Sequence, residues 1–400
     1  MFKDLYSQEA KVLEENFVSL EIPAASDKII NFASGVPDPR TIPVKDIEAV
    51  TIEVFKRYGY NSLQYAPSTG FASLIDEISR FVYRTRGLKT NSDNTIVVSG
   101  SQQGLDLISR IFIDPGDIVV VEEPSYVLAL NVFRLRRVRF VAIPVDDKGM
   151  KVEMLEDAIK RYGREGKRIK LVYTMPIAQN PTGTTMCEER RKYLLELAER
   201  YNFVIVEDDA YGLLTFEEEA PKPIASIDKS GSVVYLSSFS KILAPGLRMG
   251  YIIVGDDETA KKMHIMKQFM DLGTSTLSQL IVETALKKGV VDKAIEYAKS
   301  LYRLKRDIMI ELIDEELSDG VSRTSPKGGF YTWLKLNRDV DTEKILELSR
   351  KRGVIFTPGK RFCINEDKCL DAMRLSYSNP SENDIRIGIH ILADVLREVL

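Results

Sequence analysis

The chain has 400 residues, of which 44% are hydrophobic, and its 56 basic and 59 acidic side chains give a formal net charge of −3. A chain of this length exceeds what one hydrophobic core usually holds, so we expect two domains with a cleft. The balanced charge predicts no basic face, which argues against nucleic acid as a partner and favours a small molecule.

Three cysteines and two histidines are spread through the chain. Cys187, Cys363 and Cys369 make no disulfide framework, and neither they nor His264 and His390 have metal-ligand spacing. The N-terminal sequence MFKDLYSQEAKVLEENF is charged throughout, and no apolar run approaches the ~18 residues of a membrane span. We therefore expect no metal, no membrane partner and a reducing cytoplasm.

The first 30 residues or so predict a helix beginning near Ser7, followed by the extended segment INFASGVPDP. Gly35 in that segment could bring backbone amides close to a ligand, although an ordinary turn fits equally well. Apolar residues at helical spacing predict a helix over 47–58. The loop NSLQYAPSTG, which contains Tyr65, follows it.

After a helix over 72–83, strands alternate with helices, which is typical of a parallel sheet with crossover connections. Apolar runs such as IVVVEE and FVIVEDD fit strands that are covered on both faces. The predicted strands are 95–99, 118–122, 139–145, 171–175, 203–208, 233–237 and 249–254.

The pattern beyond Asp256 is mostly helical, and one amphipathic stretch over 277–313 could lead from a large domain to a smaller one. A strand over 330–336, a helix over 341–352, the strand GVIFTPG and a terminal helix from Glu382 follow. We predict an α/β fold with a three-layer large domain over 46–285, built on a mostly parallel seven-stranded sheet. A smaller α+β domain would take residues 1–45 and 286–400.

The stretch VVYLSSFSKILAPGLRMG places Lys241 at the end of a predicted strand, close to Ser238 and Ser240 and seven residues before Arg248. Ligands of open α/β sheets lie beyond the carboxyl ends of strands, so this ammonium could face an anionic cofactor. Taken alone, the pattern fits a solvated surface lysine at least as well.

Four further motifs change that balance: SGSQQG, QNPTG, EDDAY and MRLSYS. Each motif alone has a plain interpretation as a turn, a cap or an ion pair. All five stretches together, however, occur in the order found in the pyridoxal-phosphate-dependent aminotransferases of fold type I, class I/II. The chain therefore resembles this family, whose fold is aspartate-aminotransferase-like. The resemblance implies pyridoxal 5'-phosphate as cofactor and a homodimer.

A phosphate site is indicated where the strand 95–99 leads through Gly100 into a helix, because backbone N–H groups and the helix dipole then point at an anion. The expected phosphate contacts are Ser101, Gln102, Ser238, Ser240 and Arg248. The resemblance implies that Tyr65 reaches across a dimer interface to the phosphate held by the neighbouring subunit.

The cofactor's ring needs an ionised carboxylate at its nitrogen, and the family's spacing to Tyr211 selects Asp208. Its neighbours Glu207 and Asp209 are expected to cap helices or to be exposed. Tyr211 and Asn180 are the implied donors to the phenolic oxygen. Tyr126, after the strand 118–122, could stack on the ring, with buried packing as the alternative.

Lys241 is the implied Schiff-base lysine, both anchor and general acid/base. Arg374 resembles the clamp that binds the substrate α-carboxylate through a planar fork, together with Asn180 and the neighbourhood of Gly35. The predicted reaction moves an amino group from an L-amino acid to a 2-oxo acid in a ping-pong cycle.

The resemblance is closest to the aromatic and two-aminoadipate aminotransferases. No arginine precedes Arg40 to pair an acidic side chain, and MPIA precedes QNPTG where many relatives have an aromatic residue. We therefore predict aromatic or large apolar donors with 2-oxoglutarate as acceptor. The alternatives are a two-aminoadipate or broad-specificity aminotransferase and a β-lyase or decarboxylase on the same scaffold. A transcription regulator with a DNA-binding domain is disfavoured by the few residues before Asn31.

Overall fold

The computed structural model describes residues 2–13, 29–217, 221–317 and 320–399. Its helices are Gln8–Val12 (α1), Val44–Tyr58 (α2), Ala72–Arg86 (α3), Ser101–Phe112 (α4), Val127–Leu135 (α5), Val152–Arg164 (α6), Glu188–Tyr201 (α7), Asp257–Asp271 (α8), Thr276–Lys287 (α9), Val290–Glu316 (α10), Thr342–Lys351 (α11) and Glu382–Val399 (α12). The predicted N-terminal helix is described only up to α1, and its continuation lies outside the described residues.

The strands form one large and two small sheets. They are Ile30–Asn31 (β1), Thr95–Val98 (β2), Ile118–Glu123 (β3), Arg139–Asp146 (β4), Gly149–Met150 (β5), Ile169–Thr174 (β6), Val204–Asp208 (β7), Val233–Ser238 (β8), Gly250–Ile253 (β9), Val321–Arg323 (β10), Tyr331–Leu336 (β11), Val354–Ile355 (β12), Thr357–Pro358 (β13) and Ala372–Ser376 (β14).

The large sheet has the strand order β2-β9-β8-β7-β6-β3-β4-β5. Its centre, β4-β3-β6-β7-β8, is parallel, whereas β9 runs antiparallel between β8 and β2. All seven predicted strands are present. The sequence missed the eighth, β5, a two-residue strand antiparallel to the end of β4.

The large sheet is covered on both faces, as its apolar strands predicted. Successive side chains of a strand point to opposite faces. Accordingly Val119 and Val121 of β3 lie in one core cluster and Ile118 and Val120 in another. Helices α4 and α9 contribute to the first cluster, and α6 and α7 to the second, which makes three layers. This confirms the predicted α/β fold.

The smaller sheet has the order β10-β11-β14-β13 and is antiparallel. The predicted strand GVIFTPG is divided at Phe356, because β12 pairs with β1 while β13 pairs with β14. The predicted long helix over 277–313 is also two helices, α9 and α10. They meet at Gly289, whose φ of 68° is a conformation that glycine adopts without strain. The domain limits stay a prediction.

The structure contains one feature that the cysteine count did not predict, a disulfide between Cys363 and Cys369. Cys187 is free. Among the described residues, no helix is long and apolar enough to cross a membrane. The same residues hold no group of three or more His, Cys, Asp or Glu side chains that could bind a metal ion.

Candidate active site

The carboxyl ends of the parallel strands meet at one edge of the large sheet, which is where open α/β sheets bind ligands. Asp208 is the last residue of β7 and Ser238 the last of β8. Lys241 follows three residues after β8 and is close enough that its charge lowers the pKa of Asp208. The predicted lysine and aspartate therefore face one site.

Asp208 is buried, with 2% of its surface exposed. Its Oδ2 accepts a hydrogen bond from the Tyr173 hydroxyl over 2.9 Å, and its Oδ1 has no partner among the described residues. Burial raises the pKa of Asp208 to about 7, although the hydrogen bond from Tyr173 opposes this. A buried acceptor of this kind calls for a donor, and a protonated ring nitrogen supplies both the proton and a compensating charge.

Glu207 and Asp209, the two neighbours of Asp208, were expected to cap helices or to be exposed; both are buried, and only Asp209 contradicts this expectation. Asp209 forms an ion pair with Arg86 over 2.8 Å and accepts from the Tyr235 hydroxyl over 2.7 Å. Glu207 accepts from two backbone N–H groups at the start of the short 3-10 helix Ile224–Ser226, so it does cap a helix. Their buried partners keep both carboxylates away from the site.

Lys241 is half-buried, and its Nζ donates to the Gly35 carbonyl over 2.9 Å. The same nitrogen lies 5.5 Å from the centre of the Phe330 ring. Burial lowers the pKa of Lys241; Tyr331 and Asp208 oppose this effect, whereas the charges of Arg374 and Arg248 add to it. A lysine with a lowered pKa is neutral, and hence nucleophilic, for a larger fraction of the time.

The predicted phosphate site forms where α4 begins. Gly100 precedes this helix with a φ of 78°, and a Cβ on it would collide with the Arg248 guanidinium. Arg248 Nη1 donates to the Ser240 hydroxyl over 3.3 Å, and the Ser238 hydroxyl donates to the same oxygen over 2.9 Å. A helix N-terminus, two hydroxyls and a guanidinium thus converge. Ser101 and Gln102 are the first two residues of α4.

The QNPTG turn places Asn180 by means of its neighbour Gln179. The Gln179 amide donates to Glu122 Oε2 over 3.1 Å and to the Pro124 carbonyl over 2.7 Å. Its carbonyl oxygen accepts from the Thr182 backbone over 2.9 Å. The turn is therefore fixed to the end of β3, and Asn180 is held 3% exposed beside Arg374.

Arg374, on β14, is buried with 4% exposure. Its Nη1 donates to Asn180 Oδ1 over 2.9 Å, and its Nη2 donates to the Ala33 carbonyl. The guanidinium carbon lies 4.2 Å from the ring centre of Tyr331 and 4.8 Å from that of Phe362. Its Nε is buried without a partner among the described residues. Since a guanidinium has five N–H groups and, within the same part of the chain, Nη1 donates only to Asn180, Nη1 keeps a second donor as well.

Tyr211 lies beside a second tyrosine that the sequence did not single out. The Tyr211 hydroxyl donates to the Tyr331 hydroxyl over 3.3 Å, and its ring packs edge-on against Phe330 at 5.2 Å. Both tyrosines are buried. Burial raises the pKa of Tyr211 well above its usual value, and Tyr331 adds to this effect. Tyr211 is thus a neutral hydrogen-bond donor at physiological pH.

The two remaining predicted tyrosines have different surroundings. Tyr126 is half-buried at the start of α5, and burial raises its pKa, with further upward effects from Tyr331 and Asp208. It therefore borders the site. Tyr65 is 84% exposed, so it does not join the buried residues of its own chain's site.

Sequence reasoning missed Tyr173, Tyr331 and Phe362. The signal for the first two lay in strand pairing, because residues opposite each other on neighbouring strands share a face. Tyr173 pairs with Val206, two residues before Asp208, and Tyr331 lies two residues before Trp333, the partner of Arg374. Phe362 ends a short 3-10 helix, and the sequence carried no signal for it.

These residues fit pyridoxal phosphate group by group. The unpaired Asp208 Oδ1 suits the ring nitrogen, the Gly100 and Arg248 corner suits the phosphate, and Lys241 suits the aldehyde. Each partner has the charge or hydrogen-bonding capacity that its part of the cofactor requires. We find no such match for a metal among the described residues.

Comparison with known proteins agrees with this fit. The family model described as aminotransferase class I and II matches residues 27–392. Aromatic-amino-acid aminotransferase 1 of Thermococcus litoralis is 42% identical over 379 residues, which cover 95% of this chain and 90% of that protein.

Two solved structures are similar over almost the whole chain. Pyrococcus horikoshii kynurenine aminotransferase, solved with PMP, has a TM-score of 0.91 at 40% identity and covers 97% of this chain and 98% of its own. LysN, the alpha-aminoadipate aminotransferase of Thermus thermophilus, was solved with N-(5'-phosphopyridoxyl)-L-leucine. It has a TM-score of 0.89 at 30% identity and covers 100% of this chain and 99% of its own.

The fold and the site define a pyridoxal-phosphate-dependent enzyme. The chain belongs to the class I and II aminotransferases, and it is a transaminase. The predicted family, fold, reaction type and cofactor are thereby confirmed. The roles of individual residues stay predictions.

Proposed function

We propose that this aminotransferase prefers aromatic or large apolar L-amino acids as donors and uses a 2-oxo acid such as 2-oxoglutarate as acceptor. The main observation is that the Arg374 guanidinium lies against the rings of Tyr331 and Phe362, so the α-carboxylate site is next to an apolar aromatic surface. Two of the similar proteins are named for aromatic amino acids and for kynurenine, which agrees with this preference, whereas LysN is named for alpha-aminoadipate, which fits the alternative of a two-aminoadipate or broad-specificity aminotransferase.

The surroundings of Arg40 also support an apolar preference. No arginine precedes Arg40 in the chain. Arg40 itself forms ion pairs with Asp38 over 2.8 Å and with Glu382 over 3.1 Å. A guanidinium already engaged by two carboxylates is a poor partner for the distal carboxylate of an acidic donor.

Bound pyridoxal phosphate supplies an aldehyde and a ring that accepts electrons. Lys241 anchors the aldehyde and afterwards carries the proton that leaves the donor's Cα. The Asp208 carboxylate keeps the ring nitrogen protonated. The oxygen of Asn180 is occupied by Arg374, so its amide nitrogen is left to donate to the cofactor's phenolic oxygen, as is proposed for the Tyr211 hydroxyl. The N–H groups of Arg374 that have no partner among the described residues would bind the substrate carboxylate.

A panel of amino donors tests the preference, with 2-oxoglutarate as acceptor and the pyridoxamine form followed by absorbance. We expect kcat/KM for phenylalanine, tyrosine and leucine to exceed that for aspartate and two-aminoadipate. The reverse order would contradict the proposal. A parallel assay without any oxo acid controls for a β-lyase, which would release pyruvate and ammonia from a cysteine-like substrate.

Borohydride reduction of the holoenzyme tests the anchor separately. We expect the cofactor to be fixed on the peptide that contains Lys241, and Lys241→Ala to abolish turnover. A label elsewhere, or wild-type turnover of the variant, would remove the role assigned to Lys241 without affecting the donor preference.

The enzyme is proposed to act as a homodimer in which Tyr65 contributes to the partner's phosphate site. An exposed apolar surface surrounds Tyr65, since Tyr60 is 78% and Leu63 69% exposed. Leu272, 62% exposed, is close to it, since its neighbour Gly273 lies so near the Ala66 carbonyl that a Cβ would touch that oxygen, and Phe269 in the last turn of α8 is 81% exposed. Exposed patches of this kind mark interaction sites.

Light scattering measures the oligomeric state, and co-expression of one impaired chain with one inactive chain tests the shared site. In a heterodimer of Tyr65→Phe and Lys241→Ala chains, one site has both native residues only if Tyr65 acts across the interface. We therefore expect activity above that of either parent. No gain would place Tyr65 outside the partner's site.

We also propose that the enzyme is located in the cytoplasm.

A further inference from the structure

Tyr331, the first residue of β11, lies among three groups of the site although no motif marks it. Only 3% of its surface is exposed. Its hydroxyl oxygen is 3.3 Å from that of Tyr211, and the Arg374 guanidinium carbon lies 4.2 Å from its ring centre. A Cβ on Gly35 would collide with the same hydroxyl, so the glycine leaves room for it.

We propose that Tyr331 is a positioning residue for Tyr211, whose phenol it holds and polarises through a hydrogen bond between the two hydroxyls. The proposal rests on the role proposed above for Tyr211 as a donor to the cofactor's phenolic oxygen. A phenylalanine would fill nearly the same volume. The role of Tyr331 therefore depends on its hydroxyl oxygen. This oxygen lies within hydrogen-bonding distance of the Tyr211 hydroxyl, and Gly35 leaves room for it.

The number of protons on the two hydroxyls limits which of them can donate. A tyrosine hydroxyl has one proton to donate and lone pairs that accept. In the structure the Tyr211 hydroxyl gives its one proton to Tyr331. When Tyr211 instead donates to the cofactor's phenolic oxygen, this hydrogen bond reverses, and the Tyr211 oxygen accepts from the Tyr331 hydroxyl. Hydrogen bonds in such a chain strengthen one another, so Tyr331 makes Tyr211 the stronger donor. A stronger donor favours the deprotonated form of the bound cofactor.

The test is a pH titration of the cofactor's absorbance in substrate-free holoenzyme. For Tyr331→Phe we expect the titration midpoint to rise by about half to one pH unit, because the loss of one hydrogen bond weakens the stabilisation of the deprotonated form. We expect KM for the amino donor to stay within about twofold, since the ring beside Arg374 is kept. Tyr331→Leu removes the ring as well and should raise KM several-fold.

Tyr377→Phe is the matched control, because its buried hydroxyl donates to the Gly328 carbonyl over 2.9 Å, in the same part of the fold. It should leave the midpoint unchanged. An unchanged midpoint in Tyr331→Phe, or equal shifts in both variants, would overturn the inference.

Tyr211→Phe separates this inference from the proposed function. If it shifts the midpoint while Tyr331→Phe does not, the inference is wrong and the role of Tyr211 stands. If Tyr211→Phe leaves the midpoint unchanged, that role and the inference both fail. In the double variant we expect the midpoint of Tyr211→Phe alone, because Tyr331 acts through Tyr211. Additive shifts would show an independent effect and overturn the inference.

Discussion

The Tyr173 hydroxyl donates to Asp208 Oδ2 over 2.9 Å, and the two residues lie on neighbouring strands of the large sheet. Tyr173 is opposite Val206, so its side chain and that of Asp208 project from the same face. This bond occupies one carboxylate oxygen and leaves Oδ1 for the cofactor. It also lowers the pKa of Asp208 against the raising effect of burial.

Tyr173→Phe is therefore expected to weaken cofactor binding near neutral pH. Without the hydrogen bond, the pKa of Asp208 rises further above its usual value, and a smaller fraction of the carboxylate is ionised. Binding that needs the charged form is lost as pH falls through this pKa, so the loss should begin at a pH about one unit higher. The measurement is the Kd of pyridoxal phosphate as a function of pH.

Tyr235→Phe is a close control for that experiment. Tyr235 is equally buried on β8, but its hydroxyl donates to Asp209 over 2.7 Å. Both variants should lose about 1 kcal/mol of unfolding free energy. Only Tyr173→Phe should shift the pH dependence of cofactor binding, and equal shifts in both would mean that Asp208 is not the ring partner.

The fork of Arg374 gives a second prediction. Arg374→Lys keeps the positive charge but loses the planar set of donors that contacts Asn180 and Ala33. We expect KM for every amino donor to rise about ten- to a hundredfold, the range for losing hydrogen bonds to a charged group. Steady-state kinetics with one aromatic and one aliphatic donor measures the change.

Arg306→Lys is the matched control for this substitution. Arg306 is another buried arginine, and its guanidinium donates to the Pro326 carbonyl over 2.6 Å and pairs with Glu217. Its loss should lower thermal stability while KM stays unchanged. A KM for Arg374→Lys within twofold of the native value would exclude Arg374 as the carboxylate clamp.

The strands of the large sheet could be predicted from sequence because each is a short apolar run bounded by polar or glycine residues. Their ends agree to within about two residues. Gly289 was harder, since apolar periodicity continues on both sides of it, and one glycine inside a helical pattern does not decide whether the helix ends. β5 was missed because two residues carry no periodicity.

The predictable part of the site is its local part. Lys241, Asn180 and Asp208 each belong to a short motif at the end of a strand, so sequence position alone indicates the sheet edge. Tyr331 and Tyr173 reach the site only through strand register, which one sequence does not reveal. Asp209 was misassigned for a similar reason, because its partner Arg86 is 123 positions away.

The cysteines give a third prediction. Unfolded without reductant, the chain should show one reactive thiol, that of Cys187, and three after reduction. Three thiols without reductant would contradict the Cys363–Cys369 bond and would agree with the predicted reducing cytoplasm.

The double variant Cys363→Ser/Cys369→Ser should have an unfolding free energy roughly 2 kcal/mol below that of the native oxidised protein, a modest loss because the disulfide closes only a short loop. Cys187→Ser, as control, should leave no thiol before reduction.

Three buried carboxyl groups make the unfolding free energy of the protein depend on pH. Burial raises the pKa values of Glu122, Glu207 and Asp208 to about 7. The unfolded-state pKa values are 4.5 for the two glutamates and 3.8 for the aspartate. Between these values and about pH 7, the folded state therefore keeps protons that the unfolded chain has released. Each of these groups lowers the unfolding free energy as pH rises through that window.

Glu207→Gln removes one such group. We therefore compare the unfolding free energies of the cofactor-free variant and the cofactor-free native protein. The difference, variant minus native, should increase with pH. The increase should lie between about pH 4.5 and 7 and reach at most roughly 3 kcal/mol, the equivalent of the pKa shift. The amide also leaves a backbone N–H at Ile224 or Ala225 poorly paired, which lowers stability at every pH. The slope of the difference, measured by urea unfolding, is therefore the readout.

Ile205→Val, a cavity-forming change on the same strand that alters no charge, should give a difference that does not change with pH. A flat or falling difference for Glu207→Gln would mean that this carboxyl is ionised in the folded protein.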